Sequence, residues 1–211
     1  MNVHIPNRYH KIIDEIGNFN WRGLERDELM MACRAYHYFS VQFVEAVHMA
    51  CGLYPSDQNL IALRGGECDT DNLSPYPGIA EKGEKMNHDE FMRRVVESAS
   101  LDQAARERVD NLGREYLAEV SRMDPLTRAM ALSSYEDGGL EAVFRAMLTA
   151  PDWNEPSLGA FKHFLVEHIK LDSGDGSHGS LCRHLVADDR ILPLWVAFKN
   201  LLVAGAPRLS A

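Results

Sequence analysis

The sequence has few cysteines, no glycine-rich nucleotide loop and no long apolar run. Cys33, Cys51, Cys68 and Cys182 form no CxxC pair, so a zinc site built on clustered thiolates is excluded. Four cysteines behind an N-terminus without a basic-then-apolar leader read as reduced thiols and predict a cytoplasmic location. There is no Gly-x-Gly-x-x-Gly, no Walker loop and no Gly-x-Ser-x-Gly elbow, which removes the common dinucleotide, P-loop and serine-hydrolase readings. The longest apolar run, Ile191 to Phe198, falls far short of the roughly 18 residues of a membrane span. Basic residues are the minority, 22 against 31 acidic, for a net charge of −9. With no Lys/Arg run either, neither nucleic acid nor an anionic membrane is an expected partner. Alternating strand patterns, internal repeats and low-complexity tracts are absent too.

What is present is helical periodicity within an ordinary globular composition, 45% hydrophobic and 25% charged. The stretch from Asp27 to Leu53 is apolar at almost every turn, which predicts a central helix ended by Pro55. Ser56 to Arg64 fits a short helix. Gly65 to Gly78 is dense in turn formers and reads as a long irregular stretch, with Asp69 to Gly78 a candidate lid. Asn87 and Glu90 form a capping-box pattern for the next helix. Leu101 to Met123 is amphipathic, and Pro125 after Asp124 opens another helix as an N1 residue. Ala129 to Leu148 is helical around Gly138-Gly139; Pro156 to Asp172, Ser177 to Val186 and Asp188 to Val203 complete the set. The expected fold is all-α, one domain over residues 1–211, a bundle of seven to eight helices.

Chemistry concentrates in histidines and carboxylates. His168 and Asp172 are four apart and share a helix face with Phe161, Phe164 and Leu165. On an inward face each needs a partner, because an unpaired buried charge is costly. Either they bond to each other or a neighbouring helix, or a metal satisfies both. Glu136 lies in the apolar stripe of Leu132, Leu140 and Val143; it pairs with an arginine such as Arg128, or it is a ligand. Gly138-Gly139 beside it costs helix stability and has one use in close approach of another helix or a ligand. His88 opens a helix behind three competing carboxylates, Glu67, Glu81 and Glu84. Glu45 and His48, three apart, form a surface pair or a further ligand pair.

These residues resemble the haem-oxygenase-like all-α superfamily, in particular its di-iron oxidases and oxygenases, related to the TenA and PQQ-synthesis proteins. The resemblance runs from about Tyr36 to Leu185. It rests on His88-Asp89-Glu90-Phe91, on Tyr135-Glu136, and on His168-x3-Asp172 followed by another histidine. It implies two Fe(II) per chain, with Mn as a substitute, and O2-dependent oxidation of a small, amine or amino-acid-like substrate. One iron would take His88 and an upstream carboxylate, Glu136 would bridge or cap, and His168, Asp172 and His178 would follow, with Glu45 as an additional candidate. Tyr38, Tyr135 and Trp195 are candidate pocket walls. The family places its last histidine about one turn after the aspartate; here His178 is six residues on, so a bulge or break must re-aim it. The resemblance allows a homodimer. The rival readings are a TenA-like hydrolase with Cys51 or Cys182 as nucleophile, a haem protein with His10 or His37 as axial ligand, and a metal-free binding bundle.

Overall fold

A computed structural model describes residues 7–172 and 178–211. The segments formed there are helical, and pairing in the strand sense is confined to two isolated bridges, Thr70 with Met86 and Tyr76 with Ala80. Helices α1 (Arg8–Gly17), α2 (Arg26–Leu53), α4 (His88–Ser98), α5 (Gln103–Val120), α8 (Pro156–Asp172) and α10 (Leu192–Gly205) form the bundle. The others, α3 (Gln58–Glu67), α6 (Pro125–Ser134), α7 (Leu140–Met147) and α9 (His178–Cys182), bring side chains to its centre. That makes ten α-helical segments among the described residues against the seven or eight expected, because α1 was not read from the sequence and a π-turn, Tyr135–Gly139, separates α6 from α7. No helix among the described residues is long and apolar enough to cross a membrane.

The Asp27 to Leu53 periodicity becomes α2, the axis of the fold, packed against α3, α4, α5, α6, α8 and α10. Tyr36, Phe39, Phe43 and Val47 are buried along it, and each large apolar side chain taken from water stabilises the bundle by about 1.5–3 kcal/mol before the entropy cost. Around Tyr36 gather Phe39, Phe144, Phe161, Phe164 and Phe198. This aromatic packing locks α2, α7, α8 and α10 together.

Local signals hold at several ends and fail at others. Asp124 caps α6, its Oδ1 accepting from the Thr127 N–H at 2.9 Å, with Pro125 in the first turn as expected. Asp57 caps α3 by accepting from the Asn59 and Leu60 N–H groups. Asn87 does stand at the start of α4, but its side chain accepts from the Asp69 N–H, and Glu90 pairs with Arg93 and Arg94. The capping box is therefore not formed. The largest difference lies in α3. Gly65-Gly66 does not end it; the helix continues to Glu67. Glycine costs a helix about 1 kcal/mol relative to alanine, and the packing of α9 on α3 overrides that cost. A Cβ at position 66 would stand 2.6 Å from His178 Nε2, so only glycine leaves room for this ring.

Candidate metal centre

Glu67, at the last turn of α3, is 1% exposed, and both of its oxygens point at histidines. Oε2 lies 2.7 Å from His88 Nδ1 and Oε1 lies 2.8 Å from His178 Nδ1. Each oxygen belongs to a separate buried group able to hold a metal ion: Glu67, His88 and His168 on one side, Glu67, Glu136 and His178 on the other. One carboxylate thus stands between two ligand sets.

The first set is built by α3, α4 and α8, and hydrogen bonds behind it fix the ring tautomers. His168 Nδ1 faces the Phe164 carbonyl at 3.0 Å, so that nitrogen carries the proton and donates. Asn72 donates its amide to the Gly66 carbonyl at 2.8 Å, which turns its oxygen to His88 Nε2 at 2.9 Å. His88 Nε2 is therefore a donor as well. The remaining nitrogens, His88 Nδ1 and His168 Nε2, carry lone pairs and meet at 2.8 Å beside Glu67 Oε2. With both rings neutral, two imidazole lone pairs and a carboxylate oxygen converge, and either a proton on His88 or a bound cation resolves that conflict. Burial holds His168 down to about 3, in keeping with a neutral ring.

In the second set His178 Nδ1 faces three carboxylates, Glu67 at 2.8 Å, Glu136 at 3.4 Å and Asp172 at 3.6 Å. Glu67 Oε1, Glu136 Oε2, Asp172 Oδ1 and His178 Nδ1 are all buried without a well-formed hydrogen bond. Buried orphan polar atoms are rare in folded proteins. Without a metal, protons hold the group together. Burial alone would lower His178, but the Glu136 and Glu67 carboxylates outweigh it and push it up to about 11. Burial and then the Glu136 charge push Asp172 up to about 10, and burial raises Glu136 too. Burial also acts to raise Glu67, yet the His88 and His178 rings keep it well below the carboxylate range.

Glu136 reaches the group through the π-turn. Gly138 in that turn has φ +94°, and Asp137 leaves helical geometry beside it. The backbone leaves helical geometry just after Glu136, which is itself buried. Gly179 packs against it, where a Cβ would come 2.6 Å from the Glu136 carbonyl oxygen. Of the glycine pair, Gly138 makes the turn and Gly139 stands against the Ser134 carbonyl and the Trp195 ring, while the close approach of α9 is made by Gly179. His178, at the start of α9, does face Asp172, with Nδ1 3.6 Å from Asp172 Oδ1. The residues between, including the Ser177 start expected for the helix, lie outside those described.

Of the sequence candidates, the structure brings together Glu67, His88, Glu136, His168, Asp172 and His178. Three others stay away. Glu45 is half exposed and pairs with Arg128 at 2.7 Å, which also leaves Arg128 unable to serve Glu136. Glu84 pairs with Arg94, and Glu81 is exposed on the loop surface. The sequence leaves Glu67, Glu81 and Glu84 in competition; the extra turn of α3 favours Glu67. His48 is exposed beside Cys68.

The proposed pocket walls are also corrected. A small cavity adjoins Glu67, His88, Glu136 and His168, and its remaining lining is Tyr36, Ser40, Phe43, Val44, Leu140 and Phe164. Tyr38 instead bonds Asp110 from the outer side of α2. Tyr135 is core, edge-on to Phe39 and Trp195, and Trp195 donates to Ser134 Oγ. Asn72 was the ligand-supporting residue missed in the sequence; an asparagine in a turn-rich loop carries no signal of this role. Its loop is held at two points, since Ser74 donates to Glu167 and accepts from His163. Cys51 donates to the Leu60 carbonyl, and burial raises both the Cys51 and Cys182 thiols, which disfavours the thiolate a nucleophile needs. Neither His10 nor His37 lines the cavity.

In comparisons with known proteins, no family model, no curated protein and no solved structure matches this chain.

Proposed function

We propose that the chain is a non-haem di-iron oxidase or oxygenase of the haem-oxygenase-like kind, using O2 to oxidise a small substrate. The observation that carries this reading is Glu67, whose two oxygens face two separate histidine-containing groups. A shared carboxylate between two sets is the arrangement for two ions close together. Two histidines and one carboxylate, as in the first set, suit non-haem Fe(II) with free coordination positions, and the absence of thiolate from both sets argues against iron–sulfur chemistry. Mn shares the same donor preferences.

His88, His168 and Glu67 would hold one iron; Glu67, Glu136, His178 and Asp172 would hold the other. Two Fe(II) supply the electrons that reduce O2. The chain's own work is to orient and exclude. Phe164 and Asn72 keep the outer protons on His168 Nδ1 and His88 Nε2, so both rings present their lone pairs inward. Phe43, Val44, Leu140 and Phe164 keep bulk water from the face where oxidation would occur.

The test is anaerobic titration with Fe(II) followed by exposure to O2. The expected result is two Fe(II) per chain and O2 consumption faster than that of free iron. Binding of two Fe(II) without accelerated O2 uptake would overturn the oxidase reading and leave a metal-binding bundle.

A further inference from the structure

Helix α9 carries His178 yet has little of its own to hold it in place. At five residues it is too short to stand alone as a helix. Its buried residues are His178, Gly179 and Cys182, and Leu181 beside them is only partly covered. Resting on the metal reading above, we infer that Arg183 and His184, the two residues that follow α9, are positioning residues. They pin α9 to the segments bearing Glu136 and Glu67, and so hold His178 in the second ligand set.

Both residues lie in the 3-10 turn Arg183–Leu185. The Arg183 guanidinium is bidentate on Asp137, with Nη2 donating to Oδ1 at 2.7 Å and Nε donating to Oδ2 at 3.1 Å. Asp137 directly follows Glu136 in the π-turn. His184 Nε2 donates to Asp57 Oδ2 at 2.7 Å. Asp57 uses its other oxygen to cap α3, the helix that ends in Glu67. Each pair therefore ties the outer end of α9 to a segment that supplies a ligand. The inner end of α9 is seated on the same two segments, since Gly66 faces His178 and Gly179 faces the Glu136 carbonyl. Backbone strain marks the same place. Val186, a β-branched residue 70% exposed, has φ +41°. That conformation is costly for valine and persists where the surrounding structure over-determines it; the two pinned residues stand just before it. A single exposed ion pair shifts an equilibrium by at most about fivefold, and a bidentate one stands at the top of that range.

The test is equilibrium dialysis of the full-length protein against Mn(II), with elemental analysis. Wild type should take up two Mn(II). Arg183→Ala and His184→Ala should each weaken one of the two about fivefold and leave the other unchanged, and the double variant should weaken it about 25-fold. In His178→Ala, which lacks the second position, adding Arg183→Ala should change the remaining affinity no further. Arg183→Asp should weaken binding more than Arg183→Ala, and Asp137→Arg combined with Arg183→Asp should recover most of that loss, which a role in packing alone would not allow. Arg190→Ala removes a similar exposed pair, with Asp188, that ties α9 to neither segment, and should change neither affinity. Two Mn(II) bound with unchanged affinities in Arg183→Ala and His184→Ala, or with both affinities lowered alike, overturns this inference and leaves the metal centre standing. Fewer than two Mn(II) on the wild-type protein overturns both.

Discussion

Glu67 Oε1 and His178 Nδ1 lie 2.8 Å apart because Gly66, one residue before the carboxylate, lets the imidazole sit directly against α3. The bridging carboxylate and the last histidine are thus coupled by a backbone contact as well as by charge. This gives the second ligand set a sensitivity that the first lacks.

Gly66→Ala should therefore act at a distance of one residue. Alanine in a helix is favoured over glycine by about 1 kcal/mol, so a simple propensity effect would raise the melting temperature. The clash with His178 should instead lower it and empty the second metal position more than the first. His178→Ala should produce the same metal loss without the clash. Metal content by elemental analysis and unfolding curves check both; two full equivalents of iron in either variant would rule the assignment out.

Removing shared and single-set ligands should give different stoichiometries. Glu67→Gln should lose most iron from both positions, while His168→Ala and Glu136→Ala each lose most of the metal they serve and remain helical by circular dichroism. Wild-type protein should gain about 2.7 kcal/mol of stability at a free metal concentration one hundred times the dissociation constant. Glu67→Gln should show little of that gain. Unchanged metal content in all three would sink the site.

Asn72 should matter although it touches no metal. Asn72→Ala frees the His88 Nε2 proton to be placed on either nitrogen, and loss of such a partner lowers metal affinity about 10–100-fold. The expected outcome is weaker binding at the first position with the fold intact. Competition against a chelator of known affinity measures it, and an unchanged constant would show that the tautomer is set elsewhere.

The loop that carries Asn72 should loosen in acid. Burial alone would raise Glu167, but bonds from Lys170 and Ser74 hold it down to about 2. An unfolded glutamate titrates near about 4.3, so the folded state prefers the carboxylate form. Its contribution is complete above about pH 4.3 and is lost as the pH falls through about 2. Glu167→Gln should cost about 1–2 kcal/mol at neutral pH and almost nothing near pH 2, on the scale of a charged hydrogen bond. Hydrogen exchange across residues 70–86, compared between variant and wild type over that range, reads the effect. A pH-independent difference would assign Glu167 no titrating role.

Sequence periodicity alone determined the all-helical class, the central position of α2, the start of α8 and the Asp124 cap. These features depend on which residues share one helix face and on local backbone groups, and both are readable along a chain. The inward positions of His88, Glu136, His168 and Asp172 were legible for the same reason, since each lies on or opens an apolar stripe. Tertiary packing decided the rest. It carried α3 through Gly65-Gly66, because room for His178 outweighed helix propensity, and so chose Glu67 over Glu81 and Glu84. It placed Tyr36 rather than Tyr38 or Tyr135 on the cavity: all three are aromatic and partly or wholly buried, and only the packing of α2 against α7 and α8 determines which one faces the ligands. It also brought His178 Nδ1 within 3.6 Å of Asp172, six residues earlier in the chain, a placement that residue spacing alone does not encode.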